Sequence, residues 1–433
     1  MKLSRPIALT LATVTAAATL TACAGGSTNT AGSGESAGDE TTITFWSNHP
    51  GKSRDLELEL ISRFEEQNPE LKVELVDAGA NYEELAQKFN AALAGGDLPD
   101  VIVASDVTWF NFALNGATTP LDELWDKYNI DTSTYVDTLK GDYKYKDKHY
   151  GVPYSRSTNL MYLNTDDLAA AGLPTDRGPE TWEEFDEWAV KLKEETGKPA
   201  LTIPDGSNYL DWYFEGMNWA HGGSYSNEWE PNFTSPETIK AGEFLQDQVR
   251  KGHIEISTDP TVAFGNGNAS GLLQSTGSLG GLTESATIPF ITTYLPGPGP
   301  SAATGGAGLA VPNGISDKRK ENAVKFIDFI TNTENTIFFS QKTGYMPVRK
   351  DALENPAERA FLDENPNAET AIKQLNENTK PQDYARVFVP GGGQRIGAAL
   401  DRITVGDEDV ATVFAELQKE TEDVIKRDIE PKL

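Results

Sequence analysis

The chain has 433 residues, with 37 Lys or Arg against 66 Asp or Glu, and its formal charge of −29 is too acidic for a nucleic-acid binder. Hydrophobic residues at 38%, together with 39 Gly and 24 Pro, describe a folded chain of two or three domains with many turns and exclude overall disorder. A single cysteine, Cys23, excludes an internal disulfide and a cysteine zinc cluster, and four scattered histidines without ligand spacing leave no metal and no cofactor expected.

Lys2 and Arg5 precede an apolar run from Ile7 to Leu20, the profile of a secretory leader too short to anchor by spanning a bilayer. The run ends in Leu20-Thr21-Ala22-Cys23, which looks like a bacterial lipobox, with the only thiol of the chain at the acceptor position. Residues 1–22 are therefore expected to be a cleaved leader and Cys23 the lipidated residue. Two or three acyl chains, at about 0.8 kcal/mol per buried methylene, make a stable anchor on the outer face of the membrane. Residues 23–40, rich in Gly, Ser, Thr and Asn without apolar periodicity, predict a flexible tether.

Beyond the tether, Thr42-Ile-Thr-Phe-Trp46 alternates as a strand, and Leu56, Leu60 and Phe64 fall on one face of a helix that Asn68-Pro69 ends. Leu71 to Leu75 alternates again. A second helix through Leu85, Phe89 and Leu93 stops at Gly95-Gly96, and Val101-Ile102-Val103 is the continuous β-branched run of a strand buried on both faces. This alternation predicts an α/β lobe. Later helices are predicted from Thr181, where Thr181 and Glu184 fit a capping box ahead of Trp182, Phe185, Ala189 and Leu192, then along Ala323 to Ile330, and along the stripe Val410, Val413, Phe414, Leu417, Val424. Tyr150 to Pro153, Pro296 to Gly308 and Gly344 to Pro347 read as three crossings between units.

No nucleophile elbow, Walker loop or His-Glu-x-x-His helix occurs, and pairs such as Asp166-Asp167 and Glu183-Glu184 point apart on a helix, so no enzyme is expected. Four local features suit a small polar ligand. Asn81-Tyr82-Glu83 opens a helix with an aromatic that either meets a ligand or edges the core. Ser275-Thr-Gly-Ser278 and Thr304-Gly-Gly-Ala-Gly308 offer bare backbone amides, as a phosphate cradle or a plain turn does. Gly391-Gly-Gly-Gln-Arg395 adds a guanidinium, either a clamp on phosphate oxygens or a solvated loop residue.

Phe64-Glu-Glu-Gln-Asn-Pro69, Leu98-Pro-Asp-Val101, Gly151-Val-Pro153, Met161-Tyr-Leu-Asn164, Pro179 to Phe185 and Gly344-Tyr-Met-Pro347 resemble, in order and spacing, the solute-binding proteins of carbohydrate-type ABC importers. Asn81-Tyr-Glu83, Gln274-Ser-Thr-Gly-Ser-Leu279, Gly305-Gly-Ala307 and Gln341 to Pro347 are similar to the members that bind sn-glycerol 3-phosphate and glycerophosphodiesters. The resemblance implies an α/β fold of the type II periplasmic-binding-protein kind, two lobes joined by hinge crossings around one ligand. Residues 41–153 with 303–346 would form one lobe, and 154–302 with 347–433 the other. It implies a monomer that passes its ligand to a membrane permease, with ligand contacts at Tyr82, Asp106, Ser157, Trp182, Ser275, Gly306, Tyr345 and Arg395. Asp106 stands where the family has Glu, Arg156 stands where it has a small residue, and residues 200–268 match poorly. An oligosaccharide binder would rely on stacked aromatics and need no Arg395. A secreted glycoside hydrolase would need two carboxylates about 5 to 9.5 Å apart, of which only Asp106 has a candidate's position.

Overall fold

A computed structural model of the chain describes residues 39–48 and 53–433. The expected leader, Cys23 and the tether up to residue 38 lie outside the described residues. β1 (Thr42–Ser47), β2 (Lys72–Asp77) and β3 (Val101–Ser105) alternate with the helices Ser53–Gln67 and Tyr82–Gly95. β1 pairs in parallel with both β2 and β3, the pairing that helical crossovers require. Every residue of β3 is buried, which is why its apolar run does not alternate. Phe64 is wholly buried and meets Phe326 and Phe329 edge-on at 5.2 and 5.4 Å. Burying such a ring contributes about 1.5–3 kcal/mol. Leu93, read as core from its spacing, is instead 38% exposed, because the buried face of its helix ends one turn earlier at Phe89.

The capping chemistry read from sequence is present. Asn81 accepts from the Glu84 amide at 2.9 Å and Thr181 from the Glu184 amide at 3.1 Å. The reciprocal carboxylates reach one residue further back than a capping box predicts: Glu84 takes the amide of Ala80 at 2.8 Å and Glu184 that of Glu180 at 2.6 Å. The motif residue Asp100 is buried for a structural reason, since it takes the Thr44 amide at 2.8 Å and pairs with Arg319 at 2.6 Å.

A short hairpin of β4 (Lys144–Tyr145) and β5 (Lys148–His149) leads into β6 (Val152–Asn164), thirteen residues buried throughout. There follow β7 (Leu201–Pro204), a second hairpin of β8 (Ser226–Asn227) and β9 (Glu230–Pro231), β10 (Ile254–Ser257), β11 (Gly271–Ser275), β12 (Phe290–Thr293), β13 (Ala302–Ala310) and β14 (Thr379–Lys380). The main sheet runs β10-β7-β11-β6-β13-β3-β1-β2, with β12 also on β6 and β14 on β13. β6 pairs with β13 through its first half and with β11 and β12 through its second, so one long strand serves both halves of an α/β fold. Met346 donates to the Arg156 carbonyl at 2.7 Å, bringing the segment after residue 344 alongside the same strand.

The Gly-rich stretch read as a crossing, with Thr304 to Gly308 as a cradle or plain turn, is a strand over residues 302–310. Its small residues let large ones close in: a Cβ on Gly305 would lie 2.6 Å from the ring of Trp212. Gly306, at φ 97°, would place a Cβ 2.1 Å from the Ser155 carbonyl, so only glycine fits there. Two large apolar clusters flank the shared strands. One gathers residues from Ile43 to Tyr154 and from Ala307 to Val348 and also receives Ile425 and Ile429. The other gathers Met161 to Leu295 with Ala385 to Leu417. Among the described residues no helix is long and apolar enough to cross a membrane.

Candidate functional site

Asp106 follows β3 directly and marks the meeting of the two halves. Its amide donates to the Gly306 carbonyl at 3.1 Å, fastening the end of β3 to β13. Its Oδ1 accepts from the Val107 amide at 3.0 Å, and its Oδ2 receives Gln382 Nε2 and, at 3.4 Å, Arg386 Nη1. Gln382 is held in turn, donating to the Thr304 carbonyl at 2.6 Å and accepting from Arg386 Nη1. Arg386, only 2% exposed, donates from Nε to Asp211 at 2.6 Å. Its Nη2 has no partner among the described residues.

The electrostatics of this knot favour one fixed cation. Burial works against the charge on Arg386, but Asp211, Asp106 and Glu215 outweigh it and hold the guanidinium above its ordinary pKa. Burial lifts Asp211 to about 6 in spite of Arg386. Glu215, fully buried behind them, is pushed well above the usual carboxylate range by burial and then by Asp383.

Neutral hydroxyls complete the surroundings. The hydroxyl of Tyr345 is hydrogen-bonded to Tyr82, and its ring lies parallel to Phe339 with centroids 5.8 Å apart. Its other neighbour is Gly277, whose added Cβ would lie 2.8 Å from the Tyr345 ring. Burial raises Tyr345 to about 12 and Tyr82 well above its ordinary value, so both remain protonated donors. Ser275 ends β11, its Oγ accepting from the Gly277 amide at 3.1 Å. Ser157 sits opposite Gly305 in the β6–β13 ladder. Tyr82, Asp106, Ser157, Ser275, Gly306 and Tyr345 thus come from strand ends, a helix start and a crossing segment that adjoin one another.

Two residues proposed from the sequence lie elsewhere. Trp182 is 2% exposed in the second apolar cluster, edge-on to Phe185 at 5.5 Å and Phe244 at 6.0 Å. Arg395 folds back to the Pro390 carbonyl at 2.7 Å through Nη1, while its Nε and Nη2 are buried without a partner among the described residues; it faces Glu420, Arg427 and Asp428, and burial lowers its pKa. Arg156 neither reaches solvent nor offers a free charge, since it is 1% exposed and bound to Tyr143 at 3.0 Å and Asp142 at 2.5 Å. The positions that the sequence left unread are Arg386, Asp211, Gln382, Trp212 and Tyr209. Trp212 donates to the Thr304 carbonyl at 3.2 Å, beside Asp106's other partners. Tyr209 donates to Glu83 at 3.0 Å and lies 6.3 Å from the ring of Tyr82. The signal that could have found Arg386 is its place nine residues ahead of Arg395, on the near side of the same Gly-rich turn.

Cavities open on two sides of the Asp106–Arg386 knot. One of about 580 Å³ touches Asp106, Arg156, Thr304 and Gln382. The other, of about 350 Å³, touches Asn81, Glu83, Tyr209 and Asp211. Their sizes suit a small polar ligand.

The profile described as bacterial extracellular solute-binding protein matches residues 59–370. The sn-glycerol-3-phosphate-binding periplasmic proteins UgpB of Salmonella typhimurium and of Escherichia coli K12 are each 28% identical, over 396 and 398 residues, covering 86% of this chain and 88% of theirs. The crystal structure of UgpB from Mycobacterium tuberculosis in complex with glycerophosphocholine is 47% identical, with a TM-score of 0.86 over 90% of this chain and 99% of that one. Maltose-bound MalE3 of T. maritima, 21% identical, aligns at a TM-score of 0.78 over 88% of this chain and 99% of its own, a likeness of fold alone.

Proposed function

The chain belongs to the bacterial extracellular solute-binding proteins, and from that premise we propose that it is the substrate-binding component of an ABC importer, taking sn-glycerol 3-phosphate or a glycerophosphodiester such as glycerophosphocholine between its lobes. It is a binding protein and not an enzyme. The observation that carries the reading is the Asp106–Arg386 knot, a buried guanidinium held by Asp211, Asp106 and Gln382 with one uncommitted nitrogen. Arg386 Nη2 binds a phosphate oxygen, Tyr345, Ser157 and Ser275 supply neutral donors, Asp106 accepts from glycerol hydroxyls, and Trp212 covers the carbon chain. Neither Trp182 nor Arg395 has a part in this arrangement. The relatives support the reading, since they are named for glycerol 3-phosphate or bound to glycerophosphocholine.

The lobes of this reading are residues 41–153 with 303–346 and 154–302 with 347–433, the two large clusters supporting the division while the last turns near Ile425 and Ile429 pack on the first lobe. The protein acts as a monomer on the outer face of the membrane, removed from residues 1–22, tethered by residues 23–40 and anchored by lipid on Cys23, and it hands its ligand to the membrane-spanning subunits. Cys23→Ala then yields folded, membrane-released protein; retention of that variant on membranes refutes the anchor. Calorimetric titration with glycerol 3-phosphate, glycerophosphocholine and maltose tests the ligand. Binding of a phosphate ligand without maltose is the expected result, and tight maltose binding replaces the reading with an oligosaccharide binder.

A further inference from the structure

Besides the three crossings expected from the sequence, the proposed division into lobes contains a fourth. The helix Val410–Val424 buries Val410, Val413, Phe414 and Leu417 in the second apolar cluster. About two turns beyond Leu417, Val424 packs against the first cluster, and Ile425 and Ile429 enter it at 5% and 0% exposure. The chain thus passes from one core to the other over roughly 10 Å of helix axis. Its winding changes there. Ile425–Ile429 form a π turn in which the Glu430 amide reaches back to the Ile425 carbonyl, and a 3-10 turn follows over Glu430–Lys432. Such π turns are rare and mark bends in helices. While Ile425 and Ile429 face the first lobe, Arg427 and Asp428 stand before Arg395 on the helix Gly392–Thr404 of the second. The far end is fastened to the first lobe. Lys432 Nζ donates to Asn115 Oδ1 at 2.8 Å, and Lys146 Nζ, from the β4–β5 turn, donates to the Leu433 carbonyl at 3.0 Å. Leu433 borders the cavity of about 580 Å³, whose walls come from both lobes.

The other three crossings are bonded to one another. β6 pairs with β13, and Met346 donates to the Arg156 carbonyl of β6, so together they make one hinge. The helical connection is of another kind, because it cannot lengthen without breaking its own backbone bonds or unseating Ile429. Any opening that draws the two cores apart therefore carries a cost that the hinge does not impose. We propose that residues 418–433 are a strap that restrains the lobes from opening, with Ile429 as its anchor, and that it keeps a larger fraction of the unliganded protein in the closed, binding-competent form. The strap rests on the two-lobe reading above and adds the element that sets the balance between open and closed. It acts through the chain's own packing and touches no ligand.

Small-angle X-ray scattering without ligand tests the strap, on the full chain and on Ile429→Asp, which puts a charge where the first cluster cannot hold one. Ile429→Ala, which only shortens the anchor, serves if the charged variant folds poorly. Leu60→Ala, in the same cluster but on the helix Ser53–Gln67, is the control for a loosened core. The Ile429 variants should show a larger ligand-free radius of gyration than the parent, and Leu60→Ala should match the parent. Saturating glycerol 3-phosphate should return the Ile429 variants to the parent's radius. Their affinity should be about three- to tenfold weaker, since apparent affinity falls with the fraction of competent protein. An unchanged ligand-free radius in the Ile429 variants, or an equal expansion in Leu60→Ala, overturns the strap. If the parent does not bind glycerol 3-phosphate or glycerophosphocholine, the ligand reading falls, and the ligand-free radii still decide for or against the strap.

Discussion

Arg386 and Arg395 differ in how their guanidinium groups are held. Arg386 is oriented by Asp211, Asp106 and Gln382 and keeps Nη2 uncommitted, whereas Arg395 makes one bond, to the Pro390 carbonyl, and among the described residues faces no carboxylate within hydrogen-bond distance, its Nε and Nη2 being buried without a partner. Charge-assisted hydrogen bonds contribute about 1.5–3 kcal/mol each, so Arg386→Ala should weaken glycerol 3-phosphate binding by roughly a hundredfold or more. Arg386→Lys should recover part of this, because it keeps the charge but loses the planar fork that Asp211 and the phosphate share. Arg395→Ala should stay within about twofold, a spread smaller than one weak hydrogen bond. Calorimetry on the three variants decides between them, and a reversed order would return the clamp to Arg395. Gly392 and Gly393 are small because added Cβ atoms would lie 2.1 Å from the Ala385 carbonyl and 2.7 Å from Asp211 Oδ2. They let the helix Gly392–Thr404 close over the Arg386–Asp211 pair, so the glycines serve packing there.

At the scale of elements, what was legible is what local chemistry determines. Side-chain caps at Asn81 and Thr181, the stop at Gly96 with φ 82°, and the buried stripe of Val410, Val413, Phe414 and Leu417 follow from short-range rules, and the structure shows them. β13 was illegible because Ala302-Ala-Thr-Gly-Gly-Ala-Gly308 carries no strand-forming bulk. It is a strand only because β3 and β6 pair with it on either side and Trp212 and Tyr143 need its bare surface. The same contrast left Trp212 unread, since it lies where family motifs are weak, whereas Trp182 stands in a motif whose residues build a capped helix over a core. Gly305→Ala tests this account of β13. Its new methyl group falls 2.6 Å from the Trp212 indole, so the ring must shift and its bond to the Thr304 carbonyl weaken. Overpacking of this kind costs about 1–3 kcal/mol. A thermal melt should show a lowered midpoint, together with weaker binding of glycerol 3-phosphate. An unchanged melt and affinity would mean that Trp212 does not depend on that surface.

For the whole molecule, the charge of −29 does not decide the ligand, because screening over about 8 Å at physiological ionic strength leaves the local donors in control. In the proposed division the two lobes meet through Asp106 with Gln382 and Arg386, and through Tyr209 with Glu83 at 3.0 Å. A ligand that touches both lobes shifts the molecule toward closure only by the contacts that closure completes. The Tyr209–Glu83 bond makes such a contact without being a proposed ligand donor, which allows closure to be separated from recognition. Tyr209→Phe keeps the ring beside Tyr82 and removes the bond, whose loss is worth about 0.5–1.5 kcal/mol. That corresponds to a two- to tenfold shift toward the open state. X-ray scattering should show a larger radius of gyration for the unliganded variant than for the parent, glycerol 3-phosphate should bind correspondingly more weakly, and saturating ligand should restore the parent's compact radius. Glu83→Gln, which leaves a weaker neutral acceptor, should fall between the two. If Tyr209→Phe matches the parent in both radius and affinity, closure does not depend on this bond, and the contacts through Asp106 hold the lobes together without it.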